Sequence, residues 1–181
     1  MPLDKNPFKK THLFPFKMRT VAGPAKQLSE FGLRRAQGPD GGFSASYYSY
    51  LGGFDSTSNV LAGMKLGVKV VGTMAHSYVT SYGGLKELDD EKCLLNGVNL
   101  KEVAVRYRKE FGFGNSNEGE LAGFIAFAAN FPRNFVCLVD TYDTLGSGVP
   151  NFICVGLAMI EAKEKPNGVR LDSGDLAVLS K

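Results

Sequence analysis

After residue 25 the chain alternates short β-rich runs with helical segments, and this alternation restricts the fold more than any other feature. Strand, helix and strand again is the pattern of an α/β protein built on parallel strands. Leu28–Ala36 reads as a strand ending in Arg34-Arg35, Gly38-Pro39-Asp40-Gly41-Gly42 as a turn, and Ser44–Leu51 as a short aromatic helix. Asp55 or Ser56 can cap a helix running to about Leu66, with Gly67 at the terminator position. Val68–Thr73 follows as a continuous apolar strand, the pattern of one buried on both faces.

The middle is more helical. Leu100, Val103, Ala104 and Tyr107 recur at helical spacing across Leu100–Glu110. Asn117 and Glu120 resemble a capping box that opens a second helix to Asn130. Phe135–Asp140 reads as a strand, Thr141–Gly148 as a polar loop and Pro150–Ala162 as a helix with proline near its first position. Gly168–Asp172 is the final strand, and Ser173-Gly174-Asp175 turns into a helix start.

Composition narrows the function. At 181 residues the chain can bury a core as one domain, and its hydrophobic and charged fractions are those of a soluble globular protein. No apolar run near 18 residues is evident, so no membrane span and no membrane partner are expected. Three cysteines, Cys93, Cys137 and Cys154, lack metal-ligand spacing and fit a reduced, cytosolic compartment. Of the net charge of +3, residues 1–20 supply Lys5, Lys9, Lys10, Lys17 and Arg19 against Asp4. This leader has no secretory apolar region, and Pro2, Pro7 and Pro15 spoil an amphipathic transit helix, so residues 1–15 are expected to be disordered or displaced. The body has no basic stripe with interleaved aromatics, which argues against a nucleic-acid ligand.

The strand ends carry the chemistry. Thr73 with His76 and Ser77, Asp140 with Asp143, and Arg170 with Asp172 are polar groups where barrel strands finish; Arg34 and Arg35 offer a fourth end. Parallel strands would bring them to one rim. Arginine suits phosphate or carboxylate through its planar fork, and paired carboxylates suit Mg²⁺ or ribose hydroxyls. The set points to a phosphorylated sugar with a metal-bound pyrophosphate. Each member has a plainer alternative: solvated arginines, a structural histidine, and Asp140 and Asp172 as helix caps.

Five ordered segments go further. They are Phe31–Gly41, Gly52–Val60, Gly72-Thr73-Met74-Ala75-His76-Ser77, Asp140-Thr141-Tyr142-Asp143 and Gly168–Leu176. Together they resemble the nicotinate phosphoribosyltransferases of the animal type, from about Phe16 to the final residue. The resemblance implies an α/β fold, a partial (β/α) barrel of the type II phosphoribosyltransferase kind over residues 16–181. It also implies the ATP-coupled joining of nicotinate to phosphoribosyl pyrophosphate, with Mg²⁺, in a protein that is homodimeric at full length.

By resemblance His76 is the residue transiently phosphorylated by ATP, and Asp140 and Asp172 support the ribose hydroxyls and the Mg²⁺ shell. Arg34 and Arg35 hold pyrophosphate or phosphate, Arg170 lies against nicotinate or the diphosphate, Thr73 lines the nicotinate pocket, and Ser77 adds to the substrate set. Nicotinamide-using relatives place an aspartate near Ser58, so serine here favours the acid substrate. The family is longer than this chain, which is therefore expected to be inactive alone. The alternatives are a non-catalytic product that pairs with full-length subunits, or a nicotinamide-type enzyme.

Overall fold

The computed structural model describes residues 7–181, with side chains from residue 13 onward. The chain divides into two compact units, one ending at Gly72 and one running from Thr73 to Lys181. Of the leader, residues 1–6 lie outside the described residues, and residues 7–15 belong to the first helix.

The first unit contains α1 (Pro7–Ala22), β1 (Ser29–Glu30), α2 (Gly38–Leu51), β2 (Ser56–Thr57), α3 (Val60–Leu66) and β3 (Lys69–Val70). Its three short strands are parallel in the order β1-β2-β3. The strand read over Leu28–Ala36 shrinks to two residues because Glu30 turns the chain. Its Oε1 accepts the Gly32 N–H, and a 3-10 turn at Leu33–Arg35 follows. The proposed turn at Gly38–Gly42 is instead the start of α2, with Pro39 in the first turn where its missing N–H costs nothing. Asn59, not Asp55 or Ser56, caps α3 by accepting from Ala62 N at 3.2 Å, and Gly67 (φ 69°) ends it in the left-handed conformation. The run Val68–Thr73 is not a strand buried on both faces: β3 pairs only with β2, at the end of the sheet order, and both its residues are exposed.

The centre of this unit is polar. Both residues of β2 are buried, and Glu30 Oε2 accepts from Thr57 Oγ1 at 2.7 Å and Ser46 Oγ at 2.8 Å. Arg19 ties α1 to the turn after α2, donating to the carbonyls of Gly53 and Lys26 and pairing with Asp55. The Asp55 carboxyl is held below its usual range by the Leu28 N–H first and by Arg19 second.

The second unit has a large apolar core. It contains α4 (His76–Val79), a hairpin of β4 (Leu94–Leu95) and β5 (Val98–Asn99), α5 (Leu100–Glu110), α6 (Glu118–Asn130), β6 (Val136–Leu138), α7 (Val149–Glu161), β7 (Gly168–Arg170) and α8 (Leu176–Leu179). Leu100, Leu121, Phe124, Ile125, Phe135 and Met159 are fully buried at its centre. Each such side chain contributes about 1.5–3 kcal/mol by leaving water. The hairpin turns at Asn96-Gly97, both with positive φ (49° and 83°), as a tight hairpin requires. Asn99 and Asn117 cap α5 and α6.

Strands β6 and β7 are parallel, pairing Val136 with Gly168 through Leu138 with Arg170, and α7 makes the crossover. The segment read as a polar loop after β6 contains a single π-helical turn, Thr144–Gly148, that runs directly into α7. Together they form an 18-residue apolar helical stretch, Thr144–Glu161, which by length and composition alone could cross a membrane and corrects the reading that no such stretch exists. Half of it is buried here against α5 and α6. The α/β class holds, with the parallel strands in two sheets, one within each unit.

Candidate active site

Because β6 and β7 run parallel, their carboxyl ends share one edge, and Asp140 and Asp172 emerge there two residues beyond each strand. His76 stands at the start of α4 and reaches the same edge. Its Nε2 lies 3.8 Å from Asp140 Oδ1 and 3.6 Å from Asp172 Oδ2, and its Nδ1 lies 3.1 Å from Thr141 Oγ1. Arg170, the last residue of β7, donates to Thr73 Oγ1 at 2.9 Å and pairs with Asp172 Oδ1 at 3.1 Å. One guanidinium, one imidazole and two carboxylates thus meet within the second unit.

Asp140 is the hub. Its side chain is 2% exposed, and its Oδ2 accepts three hydrogen bonds: the N–H groups of Asp172 and Ser173 at 2.6 Å each and Ser173 Oγ at 2.9 Å. Burial alone would raise its pKa, but these donors, led by the Asp172 N–H, together with His76 hold the carboxyl below the usual range. It therefore stays charged while largely shielded from water. Its other oxygen, Oδ1, is buried with no hydrogen-bond partner and faces the imidazole.

The helix-cap alternative for these aspartates is settled by their neighbours. Asp143 accepts from Leu145 N and Gly146 N, and Asp175 accepts from Ala177 N and Val178 N. Asp140 and Asp172 are left to face each other, the histidine and the arginine.

The sequence-derived set is therefore partly gathered. Thr73, His76, Asp140, Arg170 and Asp172 come together, while Ser77 is exposed on the first turn of α4. Arg34 and Arg35 lie exposed on the 3-10 turn of the first unit, and Ser58 follows β2 there, half-buried, with its N–H bonded to Glu30 O. Two partners were not singled out as site residues: Thr141, which holds the imidazole, and Ser173, which donates twice to Asp140. Both adjoin predicted aspartates, and a hydroxyl beside a carboxylate at a strand end was the available signal.

The donor set can be tested against a divalent cation. Among the described residues no group of three or more His, Cys, Asp or Glu forms a metal cluster. What the rim offers is two carboxylates, one with a buried, unpartnered oxygen. That suits Mg²⁺, which takes one or two protein carboxylates and completes its shell with water and substrate phosphate.

No protein-family model matches the chain. The nicotinate phosphoribosyltransferase of Dictyostelium discoideum is 55% identical over 166 residues, covering 90% of this chain and 28% of that protein. The human nicotinate phosphoribosyltransferase is 50% identical over 172 residues, covering 88% of this chain and 32% of its own length. The crystal structure of human nicotinic acid phosphoribosyltransferase matches with a TM-score of 0.83 and 49% identity, over 92% of this chain and 35% of that one. The chain spans about a third of the length of the curated relatives it matches. Across about nine-tenths of its own length, it is similar to the nicotinate phosphoribosyltransferases.

Proposed function

We propose that this chain supplies the ribose- and pyrophosphate-facing rim of a nicotinate phosphoribosyltransferase. The reaction joins nicotinate to phosphoribosyl pyrophosphate and releases pyrophosphate, with ATP hydrolysed to ADP and phosphate. The observation that carries the reading is the convergence of Asp140, Asp172, His76 and Arg170 at the ends of two parallel strands. Relatives about half identical to this chain over nine-tenths of its length are named for nicotinate.

In the transfer, the bond from the ribose anomeric carbon to pyrophosphate breaks as the nicotinate ring nitrogen bonds to that carbon. Positive charge grows on the sugar and negative charge on the leaving group. Asp140, kept ionised by its three donors, and Asp172 are the complement to the sugar's charge. Arg170, tethered by Thr73 and Asp172, is the complement to an anionic substrate group. Asp140 Oδ1 and Asp172 would hold Mg²⁺, whose contribution when bound is to neutralise pyrophosphate charge. Arg34 and Arg35 are assigned to phosphate and Ser58 to choice of the acid substrate.

His76 is assigned the phosphoryl-accepting role. Thr141 Oγ1 holds the ring through Nδ1, which leaves Nε2 turned to the rim. A phosphoryl group there places new charge beside the carboxylates and changes the affinities for substrate and product. We place turnover in the longer, homodimeric protein and expect the 181-residue chain alone to form no product.

The test substitutes residues 16–181 for the matching stretch of the Dictyostelium relative. Labelled ATP is predicted to leave an acid-labile phosphoryl group on His76, absent from His76→Asn, and nicotinate to outcompete nicotinamide. No label on an otherwise active protein would remove the histidine assignment. Equal use of the two bases would remove the substrate assignment.

A further inference from the structure

Between α6 and α7 lies a buried acid that the rim does not use. Glu120 is completely buried, in the first turn of α6. The spacing from Asn117 marks it as the second half of a capping box, yet its carboxylate does not fold back to the helix end. Its Oε2 instead accepts from Ser147 Oγ at 2.5 Å and Asn151 Nδ2 at 3.0 Å. Its Oε1 is buried with no hydrogen-bond partner, and so is Asn151 Oδ1 in the same cluster.

The protons nearby are already committed. Asn151 Nδ2 also donates to Asn117 O at 2.9 Å, and Ser147 Oγ receives the Asn117 N–H at 2.8 Å. Among the described residues Asp143 is the charge that acts on Glu120, while the cation Arg108 of α5 is committed to Ser116 and the Gly114 carbonyl. Asp143, from the turn after β6, presses the same way as burial, and Cys137 of β6 is the other titratable neighbour. An ionised carboxylate here would be a buried, uncompensated charge with an idle oxygen, one of the costliest arrangements a core can hold. A proton on Oε1 turns one of the two unpartnered acceptors into a donor.

The cluster also has an output. Ser147 sits in the π-helical turn that Asp143 opens. At the end of that turn Gly148 lies so close to β6 that an added Cβ would stand 1.9 Å from Val139 O, immediately before Asp140. The same 140–148 return carries Thr141 to His76 Nδ1.

We infer that Glu120 is stored as a neutral carboxylic acid with its proton on Oε1. In that form it is a positioning residue which, through Ser147, fixes the return that sets Thr141 against His76. The inference is independent of the reaction proposed above. Burial raises the Glu120 pKa, and the Ser147 and Asn151 hydrogen bonds oppose this only in part. A group whose folded value exceeds its unfolded one stabilises at low pH, and that contribution is lost as pH rises through the folded value.

The test is carboxyl ¹³C NMR on the full 181-residue chain with labelled glutamate, alongside Glu120→Gln and Ser147→Ala. One glutamate should keep the shift of a protonated acid at pH 7, and that signal should vanish in E120Q. E120Q should fold, melt near the parent temperature at pH 7 and lose the parent's decline in Tm with rising pH. In S147A the His76 imidazole resonances should shift. Every glutamate ionised at pH 7 would overturn the neutral acid, as would an E120Q variant that fails to fold or keeps the parent's pH slope. Unchanged His76 resonances in S147A would overturn the positioning role.

Discussion

The two units bury different things. In the first, the described buried apolar residues are few and small, chiefly Pro15, Ala62 and Val68, and a polar cluster of Glu30, Ser46, Thr57 and Asn59 occupies the centre. In the second, every one of the largest fully buried side chains of the described residues is found. Each unit also buries a glutamate, and the two are served differently. Glu30 has donors at both oxygens: Gly32 N–H on one, Ser46 and Thr57 hydroxyls on the other. Glu120 has donors at only one. The contrast teaches that burial alone does not determine what a carboxyl does. The count of protons offered to each oxygen does.

The largest expected effect follows from the cores. Amides of β1–β3 should lose hydrogen-exchange protection well before those of β6 and β7, a difference of about 3 kcal/mol or more in opening free energy. Equal protection in the two sheets would break the comparison. Gly148→Ala should narrow the gap from the other side. Its new Cβ meets the Val139 carbonyl, which is backbone and cannot swing away, so the second unit should lose about 3 kcal/mol in urea unfolding.

Glu30→Gln should cost about 2 kcal/mol, because the amide must point a donor at either the Gly32 N–H or the two hydroxyls. Glu120→Gln should cost under about 1 kcal/mol at neutral pH, since an amide N–H replaces an acid O–H. Similar costs for both would erase the distinction between the two glutamates.

The remaining effect concerns pH. The Asp140 carboxyl lies below its usual value, so its stabilisation is present above the unfolded pKa and disappears as pH falls through the folded one. Asp140→Asn should therefore cost about 1 kcal/mol at neutral pH, with the difference from the parent vanishing in acid. Thermal melts across the acid range would show it. A constant difference at all pH values would contradict the account of Asp140.

Much of the second unit was legible because its signals are local. The helix Leu100–Glu110 is legible from its apolar spacing, and the helix from about Glu118 to Asn130 from the Asn117 cap with Glu120. Asn96-Gly97 carries an equally strong local signal, the turn of the β4–β5 hairpin. The first unit misled because an apolar run does not reveal how many partners its strand has. Val68–Thr73 looks like an inner strand, yet it pairs on one side for two residues.

At the site, Thr73, His76, Asp140, Arg170 and Asp172 were legible as strand-end groups that parallel pairing brings together. Thr141 and Ser173 were not, because their role is to hold another residue, and sequence does not show which neighbour a hydroxyl serves. Glu120 was legible only as a cap. Its inward turn to Ser147 and Asn151 depends on the packing of α6 against α7.

The central claim, that the rim at the ends of β6 and β7 performs phosphoribosyl transfer, meets its most direct test in one assay. Residues 16–181 replace the matching stretch of the Dictyostelium relative, and nicotinate mononucleotide formation is measured with Asp140 intact and as Asp140→Asn. The account predicts turnover within about tenfold of the parent for the intact rim. It predicts a fall of about 100-fold or more when the buried carboxylate is neutralised, the scale of removing one preorganised electrostatic group. An inactive graft with an intact rim, or full activity without the Asp140 charge, would contradict it.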